Sequence, residues 1–421
     1  MRLFPEQPPP GPTRPGFWRS PLRGRWLTSF LGTVLFPVVL LVGLTGFLSH
    51  AAYNPGLGDN AIVPAGGDIL VFDWPTSPSW LYAATQGFHV IAGIVAMPLL
   101  LAKLWSVVPR LFGWPPIRNP AHAIERLSLV GLVGGGLFVF MTGIFNAQLF
   151  YPWPFNFVVA HYYGAWVFTA SLVLHVGVKL PTMRRAYRER GALAPLRDSL
   201  AETTAEPFEP DGLSSPDPAA PTISRRGLLG LVGAATATLL ITSVGQSIGG
   251  PLRRLAIFSP RGTGAIGDGP NAFPVNKTAA TAKVTETVVA GWALELLGPR
   301  PRTITRDELL AMDLATHDLP IACVEGWSTT QRWTGVRLRD LAALAGAPEA
   351  SEVQVESLQK KGGFRQATLS ADQIADERSL LALMVNDADL SMDHGFPARI
   401  IVPALPGVHN TKWVASLEFR S

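Results

Sequence analysis

Five long stretches without a charged residue interrupt the first 250 residues of the chain. Each stretch holds 22 to 24 residues. A helix of that length crosses a hydrocarbon core of about 30 Å, because each helical residue adds about 1.5 Å. The pattern therefore predicts five membrane-spanning helices, at residues 27–48, 80–102, 127–150, 155–178 and 227–250.

The lysines and arginines of this region predict the orientation of the spans. Five lie in the N-terminal tail 1–26, four follow the second span and eight follow the fourth. The connections 51–79 and 151–154 contain none. Because cytoplasmic loops carry the excess of basic residues, the tail and both basic loops are expected in the cytoplasm of a bacterial cell, in contact with membrane lipid. Residues 251–421 are then expected outside.

The alternation of apolar and polar residues changes after the fifth span. Short strand-like and helix-like stretches follow one another, which predicts a mixed α+β domain. Strands are expected within 285–296, 351–358 and 398–405, and helices within 338–346 and 375–385. The predicted organisation is a cytoplasmic tail (1–26), a four-helix membrane domain (27–180), a disordered cytoplasmic linker (181–226), an anchor helix (227–250) and an extracytoplasmic domain (251–421).

Composition agrees with a partly membrane-embedded protein. Hydrophobic residues make up 48% of the chain and charged residues 16%, which is too apolar for an ordinary soluble protein. The net charge of +4 comes mainly from the basic loops, so we do not expect a nucleic-acid partner. A single cysteine, Cys323, excludes an intramolecular disulfide.

Four histidines in or beside the spans are candidate haem ligands. His161 and His175 are 14 residues apart, close to four helical turns, so their rings face the same side about 21 Å apart. His89 and His161 lie at similar distances from the outer ends of their spans, so they could share an outer haem. His122 is the candidate partner of His175. Glycines in "GLVGGGLFVFMTG" would let a porphyrin approach the third span. Interhelical hydrogen bonding is the alternative role for these histidines, and the role of His50 stays open.

This region, about 25–180, resembles the four-helix b-type cytochromes that serve formate dehydrogenase and hydrogenase. The resemblance rests on His89 and on the pair His161 and His175. It implies one or two b haems that exchange electrons with quinone or quinol. The inner-haem histidine that this family has on its first helix is missing here.

A second motif precedes the fifth span. Ser224, Arg225 and Arg226 are followed by a mildly hydrophobic stretch rich in glycine and alanine, in "ISRRGLLGLVGAATATLL". This segment resembles a twin-arginine signal, which implies the twin-arginine export machinery as a partner. Its alternative role is that of a positive flank at a helix start.

The neighbours of Cys323 give this lone thiol a candidate role. "ACVEGWS", followed by the pattern W-x-G-V-x-L-x-D-L, resembles the cysteine loop of the sulfite oxidase family of molybdopterin enzymes, including periplasmic methionine sulfoxide reductases. The resemblance implies that the Cys323 thiolate binds molybdenum and that the domain has the sulfite oxidase fold. A soft, deprotonated sulfur suits such a metal.

Three further segments agree with that family, in the same order along the chain. They are "NAFPVNKTA", "MVNDADLSMDHGFPARIIVP" and "GVHNTKW". The resemblance implies that five residues beside Cys323 bind molybdopterin, namely Asn276, Asn386, His394, Arg399 and Lys412. A pterin that ends in a phosphate needs cationic donors, which Arg399 and Lys412 provide.

The sequence therefore predicts a molybdenum oxidoreductase that exchanges electrons with quinone through haem b. Glu325, Gly326 and Trp327 follow the cysteine where sulfite oxidases have an arginine, which favours a sulfoxide-type substrate over sulfite. The alternatives are a sulfite or related dehydrogenase, and a metal-free binding module on a cytochrome anchor.

Overall fold

The computed structural model divides into two compact units. The first unit combines Met1–Gly43 with Ala92–Ile241, and the second combines Leu44–Ile91 with Thr242–Ser421. The structure describes residues 5, 7–54, 62–63, 67–70, 72–208, 213–259, 261 and 268–420.

Apolar α-helices dominate the chain before the C-terminal domain. By length and composition four of the described helices could cross a membrane, and five could if α2 and α3, bent by 43°, form one span. The bend lies beside Pro98, which lacks an N–H donor and cannot continue the hydrogen bonding of α2. These helices are α1 (Arg25–Tyr53), α2 (Leu81–Val95), α3 (Met97–Leu111), α4 (Pro120–Ala147), α5 (Phe157–Arg190) and α6 (Arg225–Ile241).

Glycines bring α4 and α5 together in the first unit. A Cβ on Gly135 would lie 3.5 Å from Cα of Phe168, and a Cβ on Gly131 would lie 2.6 Å from Oγ of Ser171. Small residues allow such close backbone approach between apolar helices. Gly131 and Gly135, two of the glycines expected to face a porphyrin, therefore contact α5 in the structure.

The interval 181–226 differs from the disordered linker that we expected. Helix α5 continues to Arg190, and both carboxylate oxygens of Glu206 accept hydrogen bonds from the first backbone amides of α1, at 2.8 Å from Arg25 N and 3.1 Å from Trp26 N. The first amides of a helix lack intrahelical acceptors, so a carboxylate placed there is stabilised. Arg225, which is buried, donates to Thr204 O at 2.7 Å. The part of the linker at 209–212 lies outside the described residues.

The C-terminal domain contains two five-stranded sheets, as the predicted mixed α+β class requires. One has the order β2-β1-β10-β5-β6, with β1 and β10 parallel, and the other has the order β3-β4-β7-β8, with β9 also paired to β7. The strands are β1 (Ala293–Leu297), β2 (Arg302–Thr305), β3 (Ala315–Ala322), β4 (Ser328–Arg337), β5 (Glu352–Ser357), β6 (Gln366–Ser370), β7 (Leu380–Val385), β8 (Ala388–Asp389), β9 (Arg399–Ile401) and β10 (Val414–Arg420).

Short helices connect these strands and precede them. The α-helices are α7 (Gly245–Ile248), α8 (Ala279–Ala282), α9 (Glu286–Val289), α10 (Arg306–Leu310), α11 (Leu338–Leu344) and α12 (Ala371–Ala375). The 3₁₀ helices of the described chain are Pro15–Phe17, Ala194–Leu196, Gly250–Leu255, Gly363–Arg365 and Met392–His394.

One predicted element is wrong. The segment 375–385, expected to be helical, contains the end of α12 and the central strand β7. Strand β7 lies between β4 and β9 and is buried along most of its length. A strand covered on both faces is a continuous apolar run, and such a run has no period that separates it from a buried helix. Helix α11 and strand β5 lie where the sequence predicts them.

Candidate active site

A tight loop between β3 and β4 holds Cys323. The Cys323 amide donates to Trp327 O at 2.9 Å, and the Gly326 amide donates to Cys323 O at 3.0 Å. Gly326 has a φ of 90°, a conformation that glycine adopts without steric cost. The thiol is buried, with 3% of the residue exposed. We call residues 323–327 the cysteine loop.

A second segment brings two cations beside each other. Arg399 on β9 and Lys412 form an isolated antiparallel bridge. Gly395 lies against both, because a Cβ on it would be 3.1 Å from Cβ of Arg399 and 3.1 Å from Cβ of Lys412. Its φ of 111° also favours glycine. The glycine of the H-G pair in the sequence motif is thus a steric requirement of this bridge.

Backbone carbonyls hold both cations in place. Arg399 Nη1 donates to His394 O at 3.0 Å and Nη2 to Asn410 O at 3.2 Å. Lys412 Nζ donates to Asp393 O at 2.9 Å and to Lys277 O. Burial lowers the pKa of Arg399 to about 9 and, together with the charge of Arg399, lowers the pKa of Lys412 to about 7. The site therefore holds two cations close together. Their hydrogen bonds to backbone carbonyls offset only part of the cost of burying this charge.

His394 is a neutral ring at this site. Burial and the neighbouring Arg399 charge lower its pKa to about 4. Its Nε2 lies 2.9 Å from Asn271 O, and because a carbonyl only accepts, Nε2 carries the proton. The ring stacks on Phe273 with centroids 3.6 Å apart. Phe273 belongs to the "NAFPVNKTA" segment, but the sequence analysis did not assign it a role.

These side chains line one small pocket. It brings together five of the six predicted molybdopterin-binding residues: Asn276, Cys323, His394, Arg399 and Lys412. The remaining lining residues are Phe273, Pro274, Val275, Ile321, Trp327 and Gly407. The motifs are therefore far apart in sequence and close in space.

Asn386, the sixth predicted residue, does not line this cavity. It stands in the β7–β8 turn with a φ of 50°. Its amide nitrogen donates to Pro270 O at 2.6 Å and to Gln331 Oε1 at 2.7 Å, and its oxygen accepts from Arg332 N at 3.1 Å. Asparagine tolerates the left-handed conformation of such turns. Asn386 thus fixes the turn and its neighbours.

One ion pair beside the cysteine loop was not predicted. Arg261 Nε lies 2.8 Å from Glu325 Oε2, and Trp327 Nε1 donates to the same oxygen at 3.0 Å. Arg261 Nη2 also donates to Asn276 O at 3.0 Å. The pair connects the cysteine loop with the segment that carries Asn276. No feature of the sequence around Arg261 distinguishes it from a surface arginine.

The geometry fits an anionic group with a soft metal. Arg399 Nε is buried and has no hydrogen-bond partner among the described residues. Burial, and then the Glu325 charge, raises the pKa of the Cys323 thiol well above its usual range. A coordinated metal deprotonates such a thiol, and a phosphate would compensate the buried cations. By their chemistry these residues fit molybdopterin with molybdenum on Cys323.

The histidines of the helices lie in different units. His161, His175 and His122 belong to the first unit and His89 to the second. His161 Nδ1 lies 3.1 Å from Thr142 Oγ1, and a Cβ on Gly46 would lie 2.5 Å from Cε1 of His89. An imidazole whose Nδ1 is held by an oxygen can present Nε2 to a metal.

His122 does not fit the role of a haem ligand. It lies in the first turn of α4, where its Nδ1 accepts from the Arg118 amide at 3.2 Å. A neutral ring with an accepting Nδ1 carries its proton on Nε2, which leaves neither nitrogen to bind iron. No contact among the described residues joins His122 to His175.

We expect Lys412 to make the stability of the cofactor-free chain depend on pH. Its pKa is about 7 in the folded state against 10.5 in the unfolded chain, so between these values the unfolded chain binds more protons. The free energy of unfolding should then rise with pH, by at most about 1.4 kcal/mol per unit. Thermal unfolding from about pH 7 to about pH 8.5 measures this slope. Lys412→Met should remove it, whereas Lys360→Met, at an exposed position, should keep it. Equal slopes in both variants would contradict the assignment.

Comparison with known proteins agrees with this geometry. Residues 281–421 match the family described as the oxidoreductase molybdopterin binding domain. Over 131 residues the chain is 31% identical to the uncharacterized oxidoreductase YuiH of Bacillus subtilis, covering 30% of this chain and 65% of that protein. Over 100 residues it is 31% identical to the sulfite oxidase of Arabidopsis thaliana, covering 20% and 25%.

A third relative is the catalytic subunit MsrP of the protein-methionine-sulfoxide reductase of Campylobacter jejuni. It is 25% identical over 163 residues, which cover 35% of this chain and 55% of that protein. The chain thus spans less than two thirds of the length of each of these relatives. Cys323, Arg399 and Lys412 all lie within the matched residues. The C-terminal part of this chain, residues 281–421, is a molybdopterin-binding oxidoreductase domain of the sulfite oxidase type.

Proposed function

We propose that the chain is a membrane-bound molybdenum oxidoreductase whose active site is the cavity beside Cys323. The observation that carries this proposal is the convergence of one buried thiol with Arg399, Lys412 and His394 on a single cavity. Molybdenum held there supplies two-electron oxygen-atom transfer, and the protein supplies binding, orientation and electrostatics.

Each residue of the site has a proposed task. Cys323 is the metal ligand, because a soft sulfur at a fixed loop position suits molybdenum. Arg399 and Lys412 bind the anionic end of the pterin. His394, neutral and stacked on Phe273, orients the cofactor, and its ring is held by the hydrogen bond from Nε2 to Asn271 O. Trp327 and Phe273 exclude water from the cavity.

A sulfoxide is the substrate that we propose. Glu325, which is buried next to the metal ligand, disfavours an anion such as sulfite on that side of the loop. Arg261, which could attract an anion, is already paired with Glu325 at 2.8 Å. The Campylobacter relative is the catalytic subunit of a protein-methionine-sulfoxide reductase. Sulfite dehydrogenation is the second candidate, favoured by the similarity to the Arabidopsis sulfite oxidase.

We propose haem b in the helical region as the carrier between this site and quinol. His161 is a candidate iron ligand, and its Nδ1 contact with Thr142 Oγ1 supports ligation through Nε2. The geometry of His122 argues against a second haem that uses this residue. Bis-histidine ligation suits electron transfer, because it leaves no open position on the iron.

We propose that the catalytic domain lies outside the cytoplasm, after export through the twin-arginine route. The end of α1 and the connection between α1 and α2 contact the domain within the second unit. His409 Nε2 donates to Tyr53 O at 2.9 Å, and Trp74 Nε1 donates to Ala404 O at 2.8 Å. These contacts support a domain on the side of the membrane where α1 ends, which the basic loops predict to be the outer side.

Anaerobic haem spectroscopy of the detergent-purified chain tests this function and its direction. We expect methionine sulfoxide to oxidise the haem of pre-reduced protein, and sulfite to leave the haem of oxidised protein unchanged. Haem reduction by sulfite would replace the proposal with the second candidate. The absence of a haem spectrum would exclude the proposed electron route.

A further inference from the structure

One face of α2 lies along the cysteine loop. Tyr82, Gln86 and Val90 are four residues apart, so they share a side of this helix. Gln86 Nε2 donates to Val324 O at 2.6 Å. A Cβ on Gly326 would lie 2.8 Å from Cβ of Val90, so the helix and the loop leave no room for a side chain there.

Side chains from outside the matched domain satisfy the outward-facing carbonyls of this loop. Within the loop, only the carbonyls of Cys323 and Trp327 accept the loop's own backbone amides. The Val324 carbonyl accepts from Gln86, and the Gly326 carbonyl accepts from Ser247 Oγ of α7. Ser328 Oγ in turn donates to Ser247 O at 2.6 Å. The loop is thus held by hydrogen bonds from α2 and α7, two helices that precede residue 281.

Tyr82 adds a buried polar group to the same face. It is 1% exposed, and its hydroxyl has no hydrogen-bond partner among the described residues. It packs in the main apolar core of the second unit, which also contains Ala322, the residue before the cysteine. Tyr82 therefore joins α2 to the core that contains the end of β3.

We propose that this face of α2 is a structural part of the active site and that Gln86 is the residue that positions the cysteine loop. The hydrogen bond to the Val324 carbonyl is partly buried, so a carbonyl that loses this donor is destabilised, and a tight loop relieves this by moving. Cys323 is the residue next to Val324, so movement of that carbonyl displaces the thiol. The membrane helix, rather than the catalytic domain alone, then sets the place of the metal ligand.

This inference rests on the proposed function only in treating Cys323 as the metal ligand. The contacts themselves exist without metal, so they can be tested on the chain without cofactor. Cys323 is the only cysteine of the sequence, and a thiol reagent therefore reports on the loop alone. Failure of the proposed function would leave this readout unchanged.

The test is the rate at which N-ethylmaleimide modifies Cys323 in the cofactor-free, full-length chain. Each rate is divided by the rate of the same variant in denaturant, which removes differences in intrinsic reactivity. We expect Gln86→Leu to react about fivefold faster than the unchanged chain, equivalent to about 1 kcal/mol for one lost hydrogen bond. Gln366→Leu is the matched control, because Gln366 lies on β6 and contacts Glu356 instead.

A second variant keeps the test decisive if Gln86→Leu does not fold. Gln86→Glu has the same shape but replaces the donor by an acceptor, so it should also react faster. In molybdenum-loaded protein, both changes at Gln86 should shift the g values of the Mo(V) paramagnetic resonance, whereas Gln366→Leu should not. Modification rates for folded Gln86 variants within twofold of the Gln366→Leu rate would overturn the proposal.

Discussion

Cys323→Ala should lower substrate turnover by more than about 100-fold. Loss of a residue that only orients a metal ligand already costs up to about 100-fold, and loss of the ligand itself should cost more. The fold should survive, since alanine fills most of the buried space and both backbone hydrogen bonds of Cys323 remain. Turnover of a sulfoxide by detergent-purified protein measures the first effect. The haem spectrum and the thermal unfolding midpoint measure the second.

Thr330→Ala is the control for this change. Thr330 lies on β4 near the same loop but is exposed, so its truncation should leave turnover unchanged. Cys323→Ser should resemble Cys323→Ala, because a hydroxyl is a poor substitute for a soft thiolate. Retention of turnover in Cys323→Ala would show that the buried thiol is only a small apolar residue.

Loss of bound pterin is the expected result of Arg399→Met. Removing one partner of a buried, charged contact costs about 2–5 kcal/mol, so affinity for the cofactor should fall by about 30-fold or more. Methionine has similar length and no charge, and the apolar contact with Trp333, whose ring lies 5.1 Å from the guanidinium, can be kept. Pterin content after gel filtration, measured by fluorescence of the oxidised pterin, gives the result.

Two further variants separate charge and geometry at this position. Arg332→Met is the matched control, because Arg332 is exposed and pairs with Asp387 at 3.7 Å outside the cavity. Arg399→Lys keeps the charge but loses the planar fork, so it should retain an intermediate amount of pterin. Full pterin content in Arg399→Met would contradict the assignment of this cation to the anionic end of the cofactor.

The sequence could predict the long helices because their signal is local. Uninterrupted apolar length decides whether a segment can span a bilayer, and no partner needs to be known. The break between α2 and α3 could have been expected from Pro98 alone. Strand β7 could not be recognised, because its apolar run becomes a strand only through its pairing with β4 and β9.

The active site also combines features with a local sequence signal and features that depend on distant segments. Five of the predicted cofactor residues converge on the cavity, and their motifs carry strong local requirements. One such requirement is Gly395, which packs against both Arg399 and Lys412. Asn386 was assigned with them because it is close in sequence, whereas its left-handed turn directs it elsewhere. The contact between Gln86 and Val324 spans 238 positions of sequence, and no local pattern indicates it.

The linker contains a contact that its composition does not indicate. Its composition of proline, alanine, serine and acidic residues is typical of disorder. Glu206, however, accepts from the first amides of α1, where a carboxylate is stabilised by the free N–H groups. The acceptor and the helix start are about 180 residues apart, so composition alone could not reveal the contact.

X-ray absorption at the molybdenum edge shows whether Cys323 binds molybdenum in this pocket. Spectra of the purified full-length chain and of Cys323→Ser should both show molybdenum. We predict one sulfur neighbour fewer around the metal in the variant than in the unchanged chain. An unchanged chain without molybdenum, or an equal number of sulfur neighbours in both proteins, would contradict the claim.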